Sequence, residues 1–246
     1  MRNTNRMTMI RLLAFGAVLV FGATSWAQSR PPILEQVAKT YGLDSFGQVE
    51  AIRYTWNADI PGLFKASRTW EWEPKTGKVS FEGKDKDGKP VNVTYMRSEI
   101  NAQADELKKQ TDAGFTNDNY WLLFPLHAYW DTSATVTDEG MKKLPTGAGS
   151  ATLVSVKYGA ELGGYTPGDT WDLYVGKDNR VEYLVFQHGG DKKPSLVKAT
   201  WTGYKKAGPL DISTEHRGSA DGKPLHIWLS GVAVKVTGSD AWMEAK

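Results

Sequence analysis

Cysteine is absent from all 246 residues. That excludes disulfides, thiol nucleophiles, thiolate metal sites and lipid attachment through an N-terminal cysteine. Neither type of glycine-rich phosphate loop occurs, and no Gly-x-Ser-x-Gly elbow is present. Apolar runs never reach the roughly 20 residues needed to cross a bilayer as a helix. A strong charge of one sign is missing too: 30 Lys and Arg stand against 28 Asp and Glu. Histidine is scarce. The four present, His127, His188, His216 and His226, lie far apart with no partner at metal-ligand spacing. No metal centre and no cofactor is expected.

What is present begins with an export signal. Arg2, Arg6 and Arg11 precede an apolar stretch over 12–23, followed by Ser25-Trp26-Ala27, a small-x-small cleavage site before Gln28. The core has the length of a signal peptide and is too short for an uncleaved anchor. Removing 1–27 takes away three arginines and no acid, so residues 28–246 carry about one net negative charge. A near-neutral surface argues against nucleic acid as a partner and against electrostatic docking on anionic lipid. The expectation is a periplasmic or secreted chain with no membrane segment once residues 1–27 are gone. Residues 28–246 are read as a single domain, large enough to bury a core without staples.

Periodicity assigns the elements. Ile33, Leu34, Val37, Ala38 and Tyr41 recur at helical spacing up to Gly42. From Gln48 the period changes to two, predicting strands over 49–58, 64–73, 78–83 and 91–96, separated by turn residues such as Pro61-Gly62 and Asp87-Gly88. Ser98 to Asp112 suits a helix, with Ser98 as N-cap and Gly114 just past its end. The aromatic segment 117–129, broken at Pro125, reads as a short helix or irregular stretch lying on the sheet, and the polar 131–150 as loop. Strands resume over 151–158, 170–176, 180–188, 196–204, 210–217 and 225–236, with Lys177-Asp178-Asn179 and 220–223 as hairpin connections. About ten strands joined by short turns predict an α+β fold, mostly antiparallel β. The curved meander would form an incomplete barrel, with one N-terminal helix and one inserted helical segment.

Candidate chemistry is sparse. Glu71 and Glu73 alternate with Trp70 and Trp72, giving one wet and one dry face more simply than a glycosidase pair. Asp85, Asp87 and Gly88 resemble part of a calcium loop but lack its distal glutamate, so a hairpin tip is the better reading. Asn92-Val93-Thr94 is a sequon inside a strand. No catalytic residue is assigned and the chain is not read as an enzyme.

Aromatics are the informative feature, because every tryptophan except Trp26 lies outside the leader. Such rings can fill a thick core, line a cavity on the concave side of a curved sheet, or stack on sugars from an exposed face. Tyr54 and Trp56 are two apart and share a face, as do Trp70 and Trp72. These four are assigned to the wall of an apolar ligand site, with Trp121 and Phe124 as lid or rim. Trp201 and Trp228 are expected to meet them across the barrel. The alternative is a carbohydrate- or envelope-binding module using exposed tryptophans, and a hydrolase built from dispersed acids and histidines comes after that.

The order of elements, with Trp70-Glu71-Trp72-Glu73-Pro74-Lys75-Thr76-Gly77 closing a strand, resembles the periplasmic lipoprotein-carrier superfamily (LolA/LolB-like). So do the segments Asn117-Asp118-Asn119-Tyr120-Trp121-Leu122-Leu123-Phe124-Pro125 and Tyr165-Thr166-Pro167-Gly168-Asp169-Thr170-Trp171-Asp172-Leu173-Tyr174-Val175, which are similar to an uncharacterised secreted branch. The resemblance implies an incomplete antiparallel barrel lidded by helices around a hydrophobic cavity, and transport of a lipid-like molecule. This sequence departs from the lipid-anchored receptor members in having no cysteine. Soluble carriers hold the lid with an arginine, for which Arg53 and Arg68 are the strand candidates here.

Overall fold

The computed structural model describes residues 30–84, 88–101, 103–161, 167–190 and 192–246. The leader at 1–27, its cut before Gln28, Asp85 and Asp87 of the expected hairpin tip, and Tyr165-Thr166 lie outside the described residues.

Helix α1 (Pro32–Thr40) starts with proline at its first position, where no backbone N–H is needed, and buries Leu34, Val37 and Ala38. Four antiparallel strands follow: β1 (Val49–Ile60), β2 (Phe64–Glu73), β3 (Lys78–Lys84) and β4 (Pro90–Met96). Helix α2 (Glu106–Trp130) comes next. Then come β5 (Ala134–Lys143), β6 (Ser150–Tyr158), β7 (Thr170–Val175), β8 (Val181–Gln187), β9 (Leu196–Thr200), β10 (Thr202–Ala207), β11 (Leu210–Ala220), β12 (Lys223–Val236) and the short β13 (Met243–Glu244). All belong to one antiparallel sheet ordered β4-β3-β2-β1-β12-β11-β9-β8-β7-β6-β5, with β10 on β11 and β13 on β12. The ends of that order, β4 and β5, do not pair, so the barrel is incomplete.

Two helical expectations are corrected. The helix does not start at Ser98; a single 3-10 turn occupies Arg97–Glu99, and α2 begins after Asp105, whose carboxylate accepts from the backbone N–H of Leu107 and Lys108. Nor does Gly114 end it. Gly114 lies mid-helix against Trp70, where an added Cβ would sit 3.8 Å from the indole. The expected break at Pro125 is present: non-helical backbone at Leu123 (φ −130°, ψ 21°), two residues before the proline, kinks α2 into two helical stretches. Burial of Phe115, Trp121, Leu122, Phe124 and Leu126 outweighs the local penalty at Gly114 and holds both stretches against the sheet.

The expected loop at 131–150 is corrected as well, since β5 occupies the 10 residues Ala134–Lys143 of it. Beyond Val136 this edge strand is exposed on both faces, so no apolar alternation marks it. The predicted strand 196–204 is interrupted at Trp201, which turns its ring inward between β9 and β10. Gly218 permits the close approach of β9 to β11: a Cβ there would meet the Lys198 carbonyl oxygen at 1.8 Å.

α2 crosses the inner face of the sheet from β4 toward β7. Tyr95 donates to Asp112 at 2.9 Å. Phe115 meets the Trp70 and Trp72 rings edge-on at 5.5 and 5.8 Å. Further along, Trp121 stacks on Trp201 and Phe124 stacks on Trp171 at 4.1 Å. At the far end, the hydroxyls of Tyr120 and Tyr158 each donate to Asp131 at 2.7 Å. Arg30 caps the helix by donating to the carbonyls of Ala128, Tyr129 and Asp131, groups a helix C-terminus leaves unpaired. No helix among the described residues is long and apolar enough to cross a membrane.

Candidate functional site

Three connections converge at one end of the sheet. The register Asp59↔His226 brings the β1–β2 turn beside the β11–β12 turn. Asp221 in the latter then ties it to the β8–β9 connection, accepting from the backbone N–H of Ser195 (3.0 Å) and Leu196 (2.9 Å). Asp221 and Gly222 both adopt positive φ, as a two-residue hairpin turn requires. Within this ring of turns lies a cleft of about 700 Å³.

Its walls come from alternating inward positions. β1 contributes Trp56, Ala58 and Ile60, β12 contributes Leu225 and Ile227, and β8 and β9 contribute Phe186 and Val197. Gly114, Asn117 and Trp121 of α2 close the inner end. The β1–β2 rim carries Leu63 and Phe64, 60% and 42% exposed. The opposite rim carries His188, Lys193, Asp221 and Lys223.

Arg68 stands where the cleft meets α2. Its guanidinium lies over the Trp56 ring at 4.3 Å and donates twice to Asp118, from Nε to Oδ2 at 2.7 Å and from Nη2 to Oδ1 at 2.5 Å. Asp118 also accepts from the Trp70 indole at 2.8 Å and the Asn117 amide at 2.9 Å. Burial pushes the Asp118 carboxyl above its ordinary range while the Arg68 charge pulls it back. Arg53 is on the other face, paired with Glu244 and Trp242. Of the two arginines, Arg68 alone holds α2.

The six residues assigned from sequence divide. Trp56 and Trp121 line the cleft. Tyr54, Trp70, Trp72 and Phe124 are buried between α2 and the sheet, in the ring-filled part of the core. Trp201 joins that core, but Trp228 does not: it lies on the outer face, stacked on His226 at 4.4 Å, because β12 turns Leu225, Ile227 and Leu229 inward instead. The aliphatic wall and the two rims went unassigned; alternation marks Ala58, Ile60, Leu225 and Ile227 as inward, yet nothing local separates a cleft wall from a packed core.

Other ionisable groups have local partners. His127 bonds Asn119 at 2.7 Å, His226 bonds Glu215 at 2.8 Å, and His188 Nδ1 faces Asp169 at 3.4 Å. His216 is fully buried, with Nδ1 toward the Thr200 carbonyl at 3.3 Å, and burial lowers its pKa to about 3. Glu71 and Glu73 lie on the outer face, in a separate depression of about 510 Å³ with Lys75 and Lys235. Among the described residues no group of three or more His, Asp or Glu is placed to hold a metal ion.

No protein-family model and no curated protein matches the chain. Among solved structures it is similar to a DUF1329 family protein from Desulfovibrio piger, at 12% identity and TM-score 0.48, covering 87% of this chain and 97% of that one. It is also similar to a LolA superfamily protein from Nitrosomonas europaea, at 8% identity and TM-score 0.48, covering 81% and 90%. A third is the lipoprotein LppX of Mycobacterium tuberculosis, at 10% identity and TM-score 0.31, covering 83% and 96%.

Proposed function

We propose that the chain is an exported, non-catalytic binding or carrier protein for an apolar, acyl-chain-like ligand, acting in the periplasm or outside the cell after loss of residues 1–27. The supporting observation is the cleft: about 700 Å³, walled by aliphatic and aromatic side chains and opening past the exposed Leu63 and Phe64. That volume falls in the range of roughly 300–1,000 Å³ usual for small-molecule sites. Its mechanism is burial of apolar surface, with no bond made or broken. Arg68 and Asp118 give the site a closure, since the pair fastens α2 at the inner end; a longer chain that displaced Trp121 would have to loosen this attachment.

The test is a homologous series of straight-chain fatty acids titrated into purified protein. Each methylene buried contributes about 0.8 kcal/mol, so affinity should rise about fourfold per carbon and level off once the cleft is full. Ala58→Leu, which narrows the same space, should move that plateau to shorter chains. Affinity independent of chain length, or no binding at all, would refute the proposal.

A further inference from the structure

The two rims of the cleft differ in chemistry. One is apolar, carrying Ile60, Leu63 and Phe64. The other is cationic: Lys193 and Lys223 stand on the β8–β9 and β11–β12 connections, both exposed, with the His188 ring beside them. Among the described residues the carboxylate lining this rim is Asp221, which accepts from the two backbone N–H groups and from the Ser195 hydroxyl at 3.0 Å and also feels the charge of Lys193. Those donors, the Leu196 N–H foremost, hold its carboxyl below the usual range. Arg68 is matched by Asp118 at the inner end. Asp221 keeps its own negative charge and offsets one lysine, so among the described residues Lys193 and Lys223 against Asp221 leave one net positive charge at the mouth, in a chain whose residues from 28 onward are close to neutral.

His188 is oriented from behind. Asp169 is buried and accepts from the Gly189 N–H at 2.7 Å, and its Oδ1 faces His188 Nδ1. This fixes the edge of the ring that carries Nδ1 and leaves Nε2 on the other edge. Deeper in, the Trp56 indole N–H is buried without an acceptor among the described residues.

From this placement we infer that the ligand is an anionic amphiphile: its tail lies along the Trp56–Ile227 wall and its carboxylate or phosphate head group rests between Lys193 and Lys223. Oily depth and a cationic rim are complementary to a molecule with one charged end, whereas a neutral lipid uses only the first. The inference rests on the cleft being the binding site.

Isothermal titration with four probes separates the possibilities: dodecanoate, dodecyl phosphate, dodecanol and inorganic phosphate. An anionic head group should bind roughly tenfold or more tighter than the alcohol of equal length, about what one charge-assisted hydrogen bond contributes. In Lys193→Gln/Lys223→Gln, two exposed substitutions, the ratio of anion to alcohol affinity should fall toward unity. Comparing dodecanoate with dodecyl phosphate then tells which head group is preferred. Equal affinities for alcohol and anions, or a ratio untouched by the double substitution, would overturn the inference and leave the carrier reading standing. Inorganic phosphate displacing dodecanoate at equal concentration would also overturn it, by showing a small-anion site. If none of the three chain-bearing probes binds, the carrier reading itself fails.

Discussion

Asp118 meets four donors with no exposure of its own: two guanidinium nitrogens of Arg68, the Trp70 indole and the Asn117 amide. Asp118→Ala would leave the guanidinium and the indole N–H without an acceptor in a mostly buried place. Such a loss costs about 3 kcal/mol, measurable as a drop in urea-unfolding free energy. A loss below about 1 kcal/mol would show that the pair does not anchor α2. His216 sets a pH dependence. Burial holds its pKa at about 3, against 6.5 for an ordinary histidine. Between those values the unfolded chain takes up a proton that the folded one refuses. Its contribution to stability is complete above about pH 6.5 and is lost as pH falls toward 3, by about 1.4 kcal/mol per unit across the window. His216→Phe should flatten this part of the stability profile; an unchanged slope would mean the histidine is not the group responsible.

At the scale of elements, two glycines make opposite predictions. Gly114 occupies the middle of α2, and a methyl group there meets Trp70 at an ordinary contact distance. Gly114→Ala should raise stability by about 0.5–1 kcal/mol, the usual gain from removing glycine from a helix interior. Gly218 has no such room, because the added carbon would collide with the Lys198 carbonyl on the neighbouring strand. Gly218→Ala should cost more than about 2 kcal/mol through separation of β9 from β11. Thermal or urea unfolding of both variants decides the point, and equal effects would contradict the geometry. The same elements show where local signals mislead. Gly114 is a helix stop by propensity and is overridden because the segment lies against a wall of rings, whereas Pro125 does break α2, through the kink at Leu123. β5 has no alternation because it has no buried face beyond Val136, so its strand is made by pairing with β6 alone.

Across the whole molecule, the rings sort by position. Trp56, Trp70, Trp72, Trp121, Trp171 and Trp201 are buried, and Trp130, Trp228 and Trp242 are partly exposed. Intrinsic fluorescence should therefore be blue-shifted with only a minor fraction open to acrylamide, and binding should perturb the emission through Trp56 and Trp121. Emission quenched freely by acrylamide would contradict this burial and favour a sugar platform. Much of the fold was legible: the strands at β1–β4, β6–β8 and β12, the N-terminal helix and the open antiparallel layout all follow from period-two and helical alternation. Less of the site was. Trp56 and Trp121 lie on the cleft, but Tyr54, Trp70, Trp72 and Phe124 share the same inward faces and are covered by α2.

Sequence alone determined which side chains of a strand share a face, because alternation follows from the geometry of a strand whatever lies across from it. It also determined the absence of thiols and the near-neutral charge from residue 28 onward. Only the tertiary structure decided which inward faces meet α2 and which meet open space. That depends on where a 25-residue helix crosses the sheet and where three distant turns converge. Those relations join residues from 26 positions apart (Ser195 and Asp221) or 50 (Arg68 and Asp118) to well over a hundred (Asp59 and His226), and leave no mark in the pattern of either segment.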